Sequence, residues 1–198
     1  MRSLIRREGN DITVHTEPPY KTKAIISKHT SLSSTNSSQM LHSRRIYMEN
    51  DTKIKTGVLL SDSIRRYIVV GVYEEYLRGR VLDKVSHVLD CNCKYTNIKY
   101  KITTSDTGKI TKTIEESIVD TYAHLSTTRD ELIQYKPGLH KDTEYVMYSP
   151  VTEVVILDTL SIDFSDITLK LKVLTIDFIT YPGLLLLELC NETRFDNA

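Results

Sequence analysis

A period of two runs through this chain and constrains its fold more than any other feature. Leu169, Leu171, Val173 and Thr175 take one parity, Lys170, Lys172 and Leu174 take the other, and the alternation continues towards Phe178. Successive side chains of a strand point to opposite faces, so this pattern predicts a sheet with one buried and one wetter face. The chain is rich in Ile, Val, Thr and Tyr and has no Trp. Branched and aromatic side chains of this kind suit a pleated, half-buried surface.

Further strands are expected over 11–15, 22–27, 45–49, 67–73, 96–103, 143–148 and 184–189, with turn residues between them at Glu8 to Asp11, Glu49 to Asp51, Ser105 to Gly108 and Tyr181 to Gly183. Two stretches also carry helical spacing: Leu77, Val81, Leu82, Val85, Val88 and Leu89, and then Ile114, Ile118, Tyr122 and Leu125. Gly79 weakens the first as a helix, and β-branched residues such as Thr113, Val119 and Thr121 weaken the second, so both read as mostly extended. Thr128 and Glu131 stand in capping-box spacing, which predicts a short helical turn within Thr127 to Gln134.

Between Thr30 and Ser43 the run TSLSSTNSSQMLHS holds too little apolar area to order itself, and it is expected to be a long mobile loop. The expected fold is mainly β: a small β-barrel or β-sandwich with at most short helices. One β-rich domain over 1–198 is expected, and a composition shift near Lys101 permits sub-lobes 1–100 and 101–198.

Charge narrows the partners. Lys plus Arg and Asp plus Glu both number 26, so no global field draws the chain to nucleic acid or anionic lipid, and any partner surface is local. No apolar stretch of signal-peptide length follows Arg2, Arg6 and Arg7, and Leu184 to Leu187 is far too short to span a bilayer. The expectation is a soluble chain with no membrane partner, in which that run is a buried strand. Cys91, Cys93 and Cys190 are too few for a disulfide framework and point to a reducing compartment.

Chemistry-bearing motifs are sparse. Neither GxSxG, GxxxxGK[ST] nor GxGxxG occurs, so no catalytic residue and no cofactor is expected. His87, Cys91 and Cys93 share parity, and Cys190 is a conceivable fourth metal ligand, but CxC on a strand separates the sulfurs along one face. Buried thiols and an exposed His are the simpler reading, with no metal. Asp158, Asp163, Asp166 and Asp177 lack the spacing of a calcium loop and read as solvated surface. The 12 tyrosines read as core and interface packing. The pairs Arg44-Arg45 and Arg65-Arg66 are the most informative charges, because Arg is favoured where protein surfaces meet, although a charged strand edge serves equally well against aggregation.

The segment RRYIVVGVYEE at 65–75, followed by VLDCNCKYTNIKY at 88–100, resembles the head-closure, or head-to-tail connector, proteins of tailed bacteriophages. Tyr67, Ile68 and Val69 match a "YLV" strand of that family, Cys91 and Asn92 match a later Cys-Asn, and Tyr100 stands near its usual Trp. REGNDITVHT with TKAIIS is similar to the opening hairpin, and EYVMYSP with IDFITYPGLLLLEL to the closing elements. The sequence departs from the family in its missing Trp, in Ser61 to Ser63 where Gly-Asp is common, and in the Ser/Thr loop.

The resemblance implies a non-enzymatic β-barrel virion protein, assembled in the host cytoplasm as a homo-oligomeric ring beneath the portal. Its implied partners are portal or adaptor and tail proteins, with genomic DNA passing through the ring. In such a ring the expected subunit contacts are Ser33, Ser34, Asn36 and Met40 on the loop, with Arg44, Arg45, Arg65 and Arg66. A tail terminator or baseplate protein is the nearest alternative, and a metal-dependent or hydrolytic enzyme using His87, Cys91 and Cys93 is the alternative from another class.

Overall fold

The computed structural model describes residues 2–28, 43–77, 80–104, 110–128, 141–164 and 166–192. Its elements are α1 (Arg2–Glu8), β1 (Asn10–His15), β2 (Tyr20–Lys28), β3 (Ser43–Glu49), β4 (Leu59–Ser61), β5 (Arg66–Leu77) and β6 (Arg80–Asp90), then β7 (Cys93–Thr104), β8 (Ile110–Thr127), β9 (Tyr145–Pro150), β10 (Thr159–Phe164), β11 (Ile167–Asp177) and β12 (Leu184–Asn191). They close into two six-stranded antiparallel barrels, ordered β1-β2-β3-β6-β5-β4 and β7-β8-β9-β12-β11-β10. Adding six to every strand number of the first barrel gives the second.

The fold is mainly β, as the alternation predicts, and it is built of barrels rather than a sandwich. Both stretches with competing helical spacing are strands, β6 and β8. The change of barrel falls at Cys91 and Asn92, ahead of Lys101, which lies inside β7. Three elements have no counterpart in the sequence reading: α1, whose seven residues are too few to show a period, the three-residue β4, and β10, where Asp163 disguises the strand. The expected loop from Thr30 as far as residue 42, the turn at Ser105 to Gly108 and most of the turn at Thr127 to Gln134 lie outside the described residues, while Ser43 opens β3.

Each barrel has its own core. Ile12, Val14, Ile46, Met48, Leu60 and Val88 fill the first, and Met147, Leu160, Ile162, Leu171, Leu187 and Leu189 fill the second. The alternation along β11 holds through Leu171 and Val173, and then a bulge between Val173 and Thr175 shifts the parity. Ile176, not Thr175, therefore packs against the core, and Phe178 lies beyond the strand, exposed.

A third apolar cluster joins the barrels. Ile68 and Leu89 of the first meet Val146, Tyr148 and Leu184 of the second, and all five are buried. This explains the leucine run: Leu185 and Leu187 face the second core, while Leu184 and Leu186 face the first barrel, so β12 is apolar on both sides. Fully burying a Leu or Ile contributes roughly 1.5–3 kcal/mol, so this small cluster is enough to fix the joint. At its margin the backbones touch. A Cβ on Gly57 would lie 1.6 Å from the Gly183 carbonyl oxygen, and both glycines have positive φ, 83° and 92°.

Candidate binding site at the barrel junction

The tight turn after β4 sets up this site. Asp62 Oδ1 accepts from the backbone N–H groups of Ile64 at 2.7 Å and Arg65 at 2.6 Å, an Asx turn that reverses the chain and delivers Arg65 and Arg66 to the start of β5. Tyr67 OH donates to the other carboxylate oxygen at 2.7 Å. Burial disfavours the Asp62 carboxylate, but the Tyr67 hydroxyl, the two N–H groups and the Arg65 charge outweigh it and hold its pKa below the usual value. The same burial, together with the bond to Asp62, pushes the Tyr67 phenol well above its ordinary range.

Asp90, at the end of β6, gathers the arginines. Arg44 on β3 grips it with Nε at 2.7 Å and Nη2 at 2.8 Å, a bidentate fork between two side chains only 12% and 15% exposed. Arg65 Nη1 adds a longer bond at 3.2 Å. Its bond to Asp90 raises the Arg44 pKa above an already high value, so the guanidinium is permanently charged. Arg66 turns instead to the second barrel and lies 3.6 Å over the ring of Tyr122 on β8, within cation–π range.

The two-residue linker braces this arrangement. Asn92 donates through Nδ2 to the Leu125 carbonyl and accepts at Oδ1 from the Leu125 N–H, both at 2.8 Å, while its own N–H reaches the Ala123 carbonyl at 3.1 Å. His124, buried beside it, bonds through Nδ1 to the Asp90 carbonyl at 2.8 Å. Between the barrels these groups leave an open cleft of about 660 Å³, lined by Arg44, Arg65, Arg66, Asp90, Asn92 and Tyr122 among others.

Three guanidiniums and one carboxylate face this cleft, so it is locally cationic in a chain of zero net charge. Arg44 is committed to Asp90. Arg65 is about half exposed, and Arg66 lies over the Tyr122 ring at the cleft. Two adjacent guanidiniums at an open cleft suit a carboxylate or another oxyanion presented by a partner.

The structure thus brings together Arg44, Arg65 and Arg66, and it separates Arg45, which pairs across the sheet with His87 on the other side of β3. Ser33, Ser34, Asn36 and Met40 lie outside the described residues. Sequence reasoning missed Asp62, Asp90, Asn92 and Tyr122. Asp62 was legible, because Asp two and three residues ahead of turn N–H groups is an Asx-turn signal; Asp90 meets Arg44 only through strand pairing, Asn92 and Tyr122 act across the barrels, and none of the three leaves a local trace.

The proposed metal ligands do not converge, and among the described residues no three His, Cys, Asp or Glu side chains are grouped to hold an ion. His87 stacks against Tyr73 at 5.3 Å between ring centres, Cys93 donates to the Ala123 carbonyl at 3.4 Å, and Cys91 packs into the joint. Burial pushes the Cys91 thiol far up and the Cys93 thiol to about 12, so both stay protonated and poorly nucleophilic. Three of the four aspartates considered for calcium serve local folds: Asp158 accepts from Asn97 and from Val155 N–H, Asp163 from Thr168, and Asp177 from Ile179 N–H. No family model, no curated protein and no solved structure matches the chain.

Proposed function

We propose that this chain is a structural, non-enzymatic subunit of a tailed-bacteriophage particle. In this reading its copies form a ring at the head-tail junction, join portal or adaptor to tail, and close the head around the packaged genome. The observation that carries the proposal is the run from Tyr67 to Asn92, which resembles the connector family and which supplies β5, β6 and the linker of the junction. Closed barrels joined through a buried apolar cluster suit a part that transmits load between larger assemblies. The Arg65 and Arg66 forks suit carboxylates of an adjoining subunit, where fully desolvated charge pairs confer register and partner choice. DNA passes such a ring without being held when, as here, the chain carries no net charge.

Electron microscopy and mass spectrometry of purified particles test this reading. The expected result is multi-copy density for this protein at the head-tail junction. Absence from the particle overturns the connector role, and presence only in the baseplate moves the chain to a different virion part.

A further inference from the structure

The two barrels share much more than strand order. Leu60 faces Val14 and Tyr67 in the first barrel as Leu160 faces Asn97 and Leu171 in the second. Counting on from these pairs, β5 bulges between Val69 and Gly71 and β11 bulges between Val173 and Thr175, at the same station. The loops ahead of β4 and β10 repeat one hydrogen-bond set. Ile54 N–H donates to Thr52 O, Val58 N–H to Lys55 O and Gly57 N–H to Val69 O at 3.1, 3.3 and 2.7 Å; Val154, Asp158 and Leu157 donate to Thr152, Val155 and Val173 at 2.8, 3.1 and 2.9 Å. Gly57 and Leu157 both have positive φ, 83° and 76°. Ile54 and Val154 are both buried. One structural unit is therefore present twice.

This correspondence identifies which faces the joint uses. The first barrel contributes Ile68 and Leu89, whose counterparts by register in the second are Lys172 and Cys190. The second contributes Val146 and Tyr148, whose counterparts in the first are Arg45 and Tyr47. Different faces of the same unit meet, so the joint is heterologous and each chain keeps one unmatched example of each face.

The two unmatched faces differ in cover. On the second barrel the loop counterpart of Lys55 to Gly57 is Val155, Ile156 and Leu157, which are 57%, 56% and 56% exposed, beside partly buried Leu174. On the first barrel α1 packs on β2 and β3, with Ile5 fully buried and Arg6 Nε bonded to Glu49 at 2.6 Å. Val85, which faces outward by alternation from the core residue Val88, is fully buried on that side.

We propose that the intrachain joint is the pattern by which copies join: the Val155 to Leu157 face of one chain docks on the β3–β6 face of the next copy's first barrel, after α1 lifts away. The proposal rests on the multi-copy reading above and names its surface. The second copy is the fitting occupant because faces at the corresponding positions of the two units are already joined within each chain. The joints are related without being identical, since Leu157 stands where Gly57 lets backbones touch, so the contact between copies is wider and made by the leucine side chain. A seven-residue helix does not hold its shape alone, so α1 depends on its packing against β2 and β3, including buried Ile5 and the Arg6–Glu49 ion pair, and is a displaceable cover.

Sedimentation and native mass spectrometry of the full chain, Leu157→Asp, Ile5→Asp and Arg6→Glu test this, with circular dichroism to verify folding. Asp tolerates positive φ well, so Leu157→Asp changes the surface and not the loop. Self-association is expected to weaken roughly tenfold or more in Leu157→Asp and to strengthen in Ile5→Asp. Arg6→Glu, which repels Glu49 without touching the apolar contacts, is expected to follow Ile5→Asp and stands in for it if that variant unfolds. Assembly of Leu157→Asp as strong as that of the parent overturns this joint and leaves the ring reading standing. Failure of every variant to assemble at the highest soluble concentration overturns both.

Discussion

At the scale of single residues, the chain places its charges where several partners hold each one. Asp62 takes two backbone N–H groups, a phenol and an arginine field, and its carboxylate pKa is depressed as a result. The sign of the linkage follows: a carboxylate with a lowered folded pKa stabilises the fold above the unfolded value of about 4, and that contribution is lost as pH falls through the folded value. Tyr67→Phe deletes one of the bonds and is expected to cost about 1 kcal/mol at pH 7. Urea denaturation at pH 7 and pH 3 checks it, because the difference from the parent should narrow at pH 3, and a constant difference would refute the assignment. Adjacent arginines were conspicuous in the sequence, and three of the four noted do converge. Their partners were not visible, since Asp90 and Tyr122 become neighbours of Arg66 only when two barrels close and meet.

At the scale of elements, alternation identified most strands and bulges spoiled it. Alternation describes β11 as far as Val173 and fails at Thr175, because a bulge adds a residue without any compositional sign. The leucine run was legible as buried, and what it is buried against was not, for hydropathy records the number of covered faces and not the partner. Among the described glycines, Gly57 leaves the least room for a Cβ. Gly57→Ala combines a positive φ with a Cβ placed against the Gly183 carbonyl, and is expected to destabilise the fold by about 2 kcal/mol or more. The matching change at Leu157, to Ala, meets no such neighbour and should leave stability within about 0.5 kcal/mol. Chemical denaturation of the two variants side by side tests the contrast, and equal losses would contradict the geometry at the joint.

At the scale of the whole molecule, stability depends on whether two cores behave as one. The Ile68, Leu89 and Leu184 cluster and the Asn92 brackets tie them, so the described barrels should unfold together. Leu184→Ser removes apolar contact from the joint while sparing both interiors, and is expected to separate the transition into two. Hydrogen exchange resolves this, with β1 to β3 and β10 to β12 protected to the same extent in the parent and unequally in the variant.

Closure of the barrels has a consequence for how such a chain avoids sticking to others. Each ladder returns to its first strand, so within the closed part of each ring the strands are paired on both sides, and open rows of N–H and C=O groups remain where the long hairpins run past their neighbours, as along β8, which meets β9 at 124–127 and β7 alone before that. Whatever adheres to the closed part of the rings must do so through side chains. Attachments made that way come apart again, and they do not seed fibres while the walls stay shut.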